Sequence, residues 1–265
     1  MYAIVNGALV PNENAKILIS DLAIQRGYGI FDYFRTASHQ PLFLDDHLDR
    51  FYRSATEMRL ANGLDRAQLE TMIRQLIEKN NIPDSGIRIT LTGGYSEDGY
   101  LPATPNLLIT QSAFHFNAAN FNTGTTLVTY RHQRQLPQVK TIDYLQAIYL
   151  QPFIKENNAN DVLYYQNAEI TECPRSNFFL VTEKNEVVTP SRNILQGITR
   201  KRILSLKGFN IKEAIVTPDH LINAKEAFIT STTKKVLPVL KINGKTIGNG
   251  QPGEISRAIF NELAD

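Results

Sequence analysis

The order of predicted strands and helices constrains the fold of this chain most, because the two kinds of element are mixed without strict alternation. Runs of β-branched and aromatic residues predict strands, and apolar residues at helical spacing predict helices. A doubly wound nucleotide-binding fold would alternate regularly, so this order indicates a mixed α/β class with α+β character. The glycines at 27, 29, 93 and 94 also lack the spacing of a dinucleotide-binding motif.

The predicted elements divide the chain of 265 residues into two modest domains. Strands are predicted at residues 30–36, 87–92, 106–111, 126–130, 161–165, 177–181 and 187–190. Helices are predicted at residues 45–62, 64–80, 144–156 and 199–206. A small, polar stretch near residue 120 predicts a linker. The predicted domains are therefore a small α+β domain and a larger C-terminal domain, with the limits 1–116, 117–123 for the linker, and 124–265.

The composition is that of an ordinary globular protein, with 42% hydrophobic residues and a formal net charge of +2. So small and evenly spread a charge argues against nucleic acid or a membrane surface as a partner. The first residues lack the regions of a signal peptide. Cys173 is the single cysteine, which excludes an internal disulfide, so we expect a cytoplasmic protein.

Three short segments carry groups that suit one cofactor. They are Lys-Thr-Ile-Asp-Tyr-Leu at 140–145, Thr-Glu-Cys-Pro-Arg-Ser-Asn-Phe-Phe at 171–179, and Gly-Ile-Thr-Arg at 197–200. The first offers an amine that can form an imine, the second a carboxylate for a protonated ring nitrogen, and the third backbone amides for a phosphate. Pyridoxal 5'-phosphate needs all three groups. Taken alone, each has a simpler interpretation, such as a solvated lysine or a strand-end acid.

The order and the residues of these segments resemble those of the fold-type IV (class IV) aminotransferases. This family includes D-amino-acid transaminases, branched-chain transaminases and aminodeoxychorismate lyase. Further matches lie at residues 5–7, 26–32, 47–50, 231–233 and 238–239. The resemblance implies a two-domain fold whose larger C-terminal domain binds the cofactor. It also implies a homodimer, in which the loop at residues 95–101 of the neighbouring subunit closes the substrate pocket.

The resemblance also implies roles for the cofactor-binding residues. Lys140 would hold pyridoxal phosphate covalently and move the proton at the substrate Cα, with a pKa lowered by burial. Glu172 would pair with the ring nitrogen, and Arg50 would bind the phosphate together with a helix start and a hydroxyl-bearing turn. His47 is interpreted as a helix-start or core residue, and no metal ligands are assigned. The cofactor-binding set is Arg50, Lys140, Glu172, Ser176, Asn177, Leu195, Ile198, Thr199, Ser231 and Thr232.

The substrate-binding residues depart from the family pattern. D-amino-acid transaminases typically carry an Arg-x-His pair in a loop that is acidic here, at residues 95–101, and Phe31 stands where a tyrosine is usual. We expect Arg26 and Arg175 to bind the substrate α-carboxylate instead, with help from Arg88, because a carboxylate that leaves water must be paired. The substrate-binding set is Arg26, Phe31, Tyr33, Arg88, Arg175 and Thr233.

These residues favour a transaminase that moves an amino group between an amino acid and a 2-oxo acid such as 2-oxoglutarate or pyruvate. The sequence of residues 228–233 resembles the D-amino-acid enzymes more than the branched-chain enzymes, which slightly favours D-amino acids as substrates. A branched-chain L-amino-acid transaminase and aminodeoxychorismate lyase are the alternatives within the family. A cofactor-free binding protein is the alternative of another class, and Lys140, Glu172 and Arg50 together argue against it.

Overall fold

The computed structural model describes residues 1–60, 63 and 65–263. Internal contacts divide the chain into two compact units. Among the described residues, the first comprises Met1–His115 and Val139–Asp143, and the second comprises Phe116–Gln138 and Tyr144–Leu263. The predicted domain limits stay a prediction, but by its contacts the segment around Lys140 belongs to the first unit and not to the second.

The first unit is an antiparallel sheet with two long helices. Its strands are β1 (Tyr2–Val5), β2 (Ala8–Pro11), β3 (Gly29–Ala37), β4 (Gln40–Pro41), β5 (Ser85–Thr92) and β6 (Leu107–Ala113). Its helices are α1 (Leu22–Arg26), α2 (Leu44–Glu57) and α3 (Arg66–Asn80). Within the described residues the strand order is β2-β1-β6-β5-β3-β4.

The core of the first unit lies between the sheet and the helices α2 and α3. Leu48 and Phe51 on α2 recur at helical spacing and are fully buried with Ile30 and Phe34 of β3. Burying a side chain of this size contributes about 1.5–3 kcal/mol. Helix α3 begins where the Asp65 carboxylate accepts a hydrogen bond from the backbone three residues on.

The second unit is a mixed sheet flanked by short helices. Its strands are β7 (Thr125–Arg131), β8 (Asp161–Gln166), β9 (Glu169–Ile170), β10 (Glu172–Cys173), β11 (Ser176–Val181), β12 (Val187–Pro190), β13 (Ile211–Ala214), β14 (Glu226–Ser231), β15 (Lys235–Ile242) and β16 (Lys245–Thr246). Its helices are α4 (Asn120–Thr123), α5 (Leu145–Tyr149), α6 (Gln151–Glu156), α7 (Ile198–Leu204), α8 (Pro218–Ile222) and α9 (Glu254–Glu262). Within the described residues the main strand order is β13-β12-β11-β14-β15-β7-β8-β9.

Strand β11 is buried on both faces, which explains the apolar run at its residues 178–181. Phe178 and Leu180 pack into one core cluster, and Phe179 and Val181 pack into another on the opposite face. The Phe179 ring stacks on Phe228 of β14 at 4.9 Å between centroids. The residues that precede β11, Glu172 among them, are therefore joined directly to a rigid strand.

The mixed α/β class predicted from the sequence is confirmed, while several helix limits were wrong. The single helix predicted at 144–156 is two helices, α5 and α6, because Pro152 lacks an N–H and crowds the preceding turn. Helix α2 ends at Glu57, short of residue 62, and the chain turns at Arg59 with a positive φ of 55°. The end predicted for the first long helix, residue 62, and the start predicted for the second, residue 64, lie outside the described residues. The predicted linker contains α4, and the helix predicted at 199–206 is α7.

Candidate functional site

Strand β3 presents two different faces, since side chains alternate along a strand. Ile30 and Asp32 face the core and α2. Phe31 and Tyr33 point the other way, and Tyr33 is directly paired with Arg88 of β5. Directly paired residues share a face of a sheet. Phe31, Tyr33 and Arg88 of the predicted substrate-binding set therefore lie together on the face opposite α2.

The segment Val139–Asp143 is bound along β3 by backbone hydrogen bonds. The Phe31 amide donates to the Lys140 carbonyl at 2.9 Å, and the Ile142 amide donates to the Gly29 carbonyl at 3.0 Å. Gly29 makes this approach possible, because a Cβ there would lie 2.8 Å from the Leu91 carbonyl oxygen and 3.0 Å from Ile142 Cδ1. The backbone of Lys140 is thus fixed by the strand beside it.

The side chain of Lys140 lies over an aromatic ring that it shares with an arginine. Its Nζ is 4.5 Å from the centroid of the Phe31 ring, and the guanidinium carbon of Arg88 is 3.8 Å from the same centroid. Both distances are those of cation–π contacts. Tyr33 packs on Gly86 nearby, where any side chain would clash with its hydroxyl. The structure therefore groups the predicted cofactor lysine with the predicted substrate residues Phe31 and Arg88.

Arg50 lies in a buried charged cluster behind this face. Its Nε and Nη2 donate to the two oxygens of Asp32 at 2.8 Å each, and His47 Nδ1 lies 2.7 Å from Asp32 Oδ1. Burial raises the pKa of Asp32, but the charges and hydrogen bonds of Arg50 and His47 outweigh it and hold that pKa well below its usual range. Burial lowers the pKa of His47 against the opposing effect of Asp32. His47 is thus a buried residue, in agreement with its interpretation as a core residue.

Replacing Asp32 with asparagine should destabilise the protein by about 3–5 kcal/mol, because it leaves the buried Arg50 guanidinium without its counter-charge. Urea unfolding measures this loss. The wild-type protein should lose this stabilisation by Asp32 as the pH falls below about 4. The pKa of Asp32 is lower in the folded chain than in the unfolded chain, so protons bind the unfolded chain first and favour it. Glu57→Gln, an exposed carboxylate-to-amide change at the end of α2, is the control. A loss for Asp32→Asn no larger than that for Glu57→Gln would contradict the prediction.

In the second unit, Glu172 is a buried carboxylate with partners on both oxygens. Oε1 accepts from Arg134 Nε at 2.9 Å. Oε2 accepts from the Leu195 amide at 3.0 Å and from Asn177 Nδ2 at 3.3 Å. The Arg134 guanidinium also donates to the Pro137 carbonyl at 2.5 Å. The structure thus brings together Glu172, Asn177 and Leu195 of the predicted cofactor-binding set.

The position of Asn177 depends on a glycine. Asn177 Nδ2 donates to the Leu195 carbonyl at 2.8 Å, which links the start of β11 to the loop before α7. A Cβ on Gly197 would lie only 2.1 Å from Asn177 Oδ1. A side chain at Gly197 would therefore displace Asn177 and, through it, one partner of Glu172.

The Gly-Ile-Thr-Arg segment opens α7 and also anchors it. Gly197 is the N-cap residue, and Ile198 and Thr199 form the first turn. Arg200 is almost fully buried, and its Nη2 donates to the Pro190 carbonyl at 2.9 Å and to Glu213 Oε1 at 2.5 Å. The arginine of this segment therefore has a structural role that sequence reasoning did not assign.

The turn after β14 carries the remaining predicted phosphate-binding hydroxyls. Ser231 Oγ lies 3.3 Å from Thr233 Oγ1 and accepts from the Lys234 amide at 3.2 Å. The Lys234 ammonium donates to Ser176 Oγ at 3.1 Å, which connects this turn to the start of β11. Ser231 and Thr232 are half-buried.

The other predicted substrate residues are exposed. Arg26 ends α1, and its Nη1 donates to the Gln25 carbonyl at 2.9 Å. Arg175 and Thr233 are exposed side chains of the second unit. The structure does not bring Arg26 to the ring of Phe31, where Arg88 lies, so within the first unit Arg88 is the arginine grouped with Lys140.

Sequence reasoning missed two charged partners of the predicted site residues, one in each unit. Asp32 lies inside the Gly-Ile-Phe-Asp segment that supported the family resemblance, but it received no role. Arg134 received none either, although it pairs with Glu172. The available signal was weak, since a single arginine 38 residues before an acid gives no indication of contact.

Among the residues that the structure describes, none of the helices is both long and apolar enough to span a bilayer. Residues 29–242 match the family model described as amino-transferase class IV. The chain is 29% identical to the D-alanine aminotransferase of Bacillus licheniformis, over 99% of this chain and 96% of that protein. It is 28% identical to the D-alanine aminotransferase of Staphylococcus haemolyticus, over 96% of this chain and 94% of that protein.

The fold is similar to solved branched-chain amino acid aminotransferases. One such enzyme, solved with pyridoxamine 5'-phosphate, has a TM-score of 0.90 at 22% identity, covering 98% of this chain and 92% of that one. The enzyme from Escherichia coli has a TM-score of 0.88 at 23% identity, covering 97% and 91%. Since the family model spans most of the sequence, this chain belongs to the class IV aminotransferases.

Proposed function

We propose that the protein is a pyridoxal-phosphate-dependent transaminase that moves an amino group between a D-amino acid and a 2-oxo acid such as pyruvate or 2-oxoglutarate. The observation that carries this proposal is the fixed position of Lys140 over Phe31 beside Arg88. The similarity to D-alanine aminotransferases over nearly the whole chain supports the preference for D-amino acids.

The residues present fit the proposed cofactor. Glu172 is a buried carboxylate held in place on both oxygens, which suits an acid that must stay charged beside a protonated ring nitrogen. Arg134 and the Leu195 amide favour that charged form. Arg50, the amides of Ile198 and Thr199, and the hydroxyls of Ser231 and Thr232 would hold the phosphate, with Ser176 and Asn177 supporting the same region.

Lys140 is the proposed catalytic residue. When bound, pyridoxal phosphate supplies the electron sink that stabilises negative charge on the substrate Cα. Lys140 would provide the amine that holds the cofactor covalently. The same amine would carry the proton from the substrate Cα to the cofactor's aldehyde carbon, as transfer of the amino group requires. The backbone hydrogen bonds to β3 fix the main chain that carries this amine before the substrate arrives.

Arg88 is our first choice for the substrate α-carboxylate. It shares the Phe31 ring with Lys140, so a carboxylate on its guanidinium would bring the neighbouring Cα toward the lysine amine. Arg26 and Arg175 complete the proposed set, with Tyr33 and Thr233 beside the substrate. Phe31 cannot offer a hydroxyl, which leaves the recognition of the carboxylate to the arginines.

Arg88→Met should cost about 2–5 kcal/mol of transition-state binding for D-alanine, the range for removing one partner of a desolvated charge pair. The half-reaction with ethylamine, which lacks a carboxylate, should change far less. Arg26→Met and Arg175→Met test the other arginines in the same way. Arg74→Met, an exposed arginine of α3, is the control. If none of the three variants distinguishes D-alanine from ethylamine, the carboxylate is bound elsewhere.

A panel of D- and L-amino acids with 2-oxoglutarate and pyruvate as acceptors tests the overall proposal. Turnover of D-alanine above that of L-leucine supports it, and the reverse order would identify a branched-chain L-transaminase. Release of pyruvate from aminodeoxychorismate without an acceptor would identify a lyase. The proposal includes a homodimer, which sedimentation of the purified protein tests, and a cytoplasmic location, in keeping with the buried single Cys173.

A further inference from the structure

The second unit contains a cavity of about 380 Å³ beside the first residues of β7 and β8. Its lining includes three charged side chains, Asp161, Arg175 and Lys234, and an apolar wall formed by Ile229, Leu237 and Leu240. Among the described lining residues are none of those proposed above to hold the cofactor. Of the lining residues that the structure describes, Arg175 also belongs to the substrate-binding set proposed above, so to that extent the inference rests on the proposed function.

Lys234 is a half-buried cation with little compensation. Within the described part of the chain, its ammonium has one side-chain hydrogen bond, to Ser176 Oγ at 3.1 Å, and no ion pair. Burial lowers the pKa of this ammonium, and the positive charge of Arg175 lowers it further against the attraction of Asp161. An ammonium taken out of water is costly unless an anion pairs with it. The cavity therefore favours a ligand that brings negative charge to Lys234.

The net charge of the lining limits the ligand. Asp161 contributes one negative charge, and Arg175 and Lys234 contribute two positive charges, so the lining matches a single negative charge. Asp161 is buried, and one of its oxygens already accepts from the Val162 amide at 2.9 Å. A monoanion on the side of Lys234 and Arg175 would balance the cavity, whereas a dianion would exceed it.

The apolar wall gives the ligand a second requirement. Leu237 and Leu240 of β15 line the cavity with Ile229 of β14. Gly124 packs against Leu240, and a Cβ there would lie 2.6 Å from Leu240 Cγ, so the wall is held by close contact. Inorganic phosphate has no apolar surface to place on this wall, but an aliphatic chain has.

We propose that this cavity binds a small aliphatic carboxylate. Its carboxylate group pairs with Lys234 and Arg175, and its hydrocarbon chain packs on Leu237 and Leu240. An ammonium and a guanidinium together suit a carboxylate, because the guanidinium offers a planar pair of donors and the ammonium a compact charge.

Calorimetric titration of the holoenzyme with butyrate tests this proposal. Lys234→Met should weaken butyrate binding at least about tenfold, which corresponds to about 1.4 kcal/mol. Lys235→Met is the matched control, because Lys235 is the neighbouring lysine, lies over the Phe260 ring and does not line the cavity. Equal affinities of the two variants would overturn the proposal. So would binding of phosphate or of n-butylamine as tight as that of butyrate, because either would remove the need for a carboxylate on an aliphatic chain.

Crystals of the wild-type holoenzyme soaked with 4-bromobutyrate provide a test that does not depend on the folding of a variant. We expect an anomalous bromine peak beside Leu237 and Leu240, with the carboxylate toward Lys234. A bromine peak only near Lys140, or no peak, would overturn the proposal. Neither experiment measures transamination, so its outcome is separate from that of the proposed function.

Discussion

Replacing Lys140 with alanine should lower the turnover of D-alanine with 2-oxoglutarate by about 10⁴-fold or more, the upper end of the range for losing a general acid–base group. The variant loses both the amine that holds the cofactor covalently and the base that moves the proton at the substrate Cα. The rate of pyruvate formation measures the loss. Phe31 and Arg88 are unchanged by this substitution, so binding of the substrate carboxylate should persist.

Lys140→Arg separates charge from proton transfer. A guanidinium keeps a cation over the Phe31 ring, but it does not lose its proton in proteins, so the variant should be as inactive as Lys140→Ala. Lys79→Ala is the control, because Lys79 Nζ lies 4.7 Å from the Tyr2 ring in the same kind of contact. Turnover by Lys140→Ala within about tenfold of wild type, which is a change of about 1.4 kcal/mol, would exclude the proposed role.

Replacing Glu172 with glutamine should lower kcat by about 10²–10³-fold, the loss seen when one preorganised electrostatic group is removed from an active site. The amide keeps the size of the side chain but cannot hold a ring nitrogen protonated. It also leaves Arg134 without its charge partner, so some loss of stability should accompany the kinetic effect. Single-turnover rates measured well below the unfolding temperature isolate the kinetic part.

Two further variants interpret the result for Glu172. Glu169→Gln, on β9, breaks the exposed ion pair with Arg192 and should leave kcat unchanged. Arg134→Met tests whether the arginine positions the carboxylate, in which case kcat should fall although Arg134 does not contact the substrate. A kcat for Glu172→Gln equal to that of Glu169→Gln would show that the carboxylate plays no electrostatic part.

The sequence was sufficient for the parts of the fold that depend on local patterns. Strand β3 was predicted at 30–36 and spans Gly29–Ala37, because alternating aromatic and β-branched residues indicate a strand without further context. The position of Pro152 could have predicted the break between α5 and α6, but the apolar spacing favoured one helix. Local signals thus located the elements better than their ends.

Contacts between distant residues could not be predicted in this way. The Asp32–Arg50 pair joins a strand to a helix, and only the packing of α2 on the sheet brings the two side chains together. Lys234 received no role from the sequence, and nothing in its neighbours indicated that its side chain would be half-buried. Charged residues are usually exposed, so sequence reasoning assigns a buried charge only where a family motif points to it.

The assignment of Val139–Asp143 to the first unit has a consequence for how the protein is made. Beside the segment, the Phe31 amide and the Gly29 carbonyl of β3 find their partners about 110 residues later in the chain. During synthesis, this stretch of strand edge stays unpaired until residue 143 has left the ribosome, and unpaired edges recruit other chains. Fragments that end before residue 139 therefore expose this β edge and also lack Lys140. An independently expressed first unit would need this five-residue segment supplied as part of the same chain.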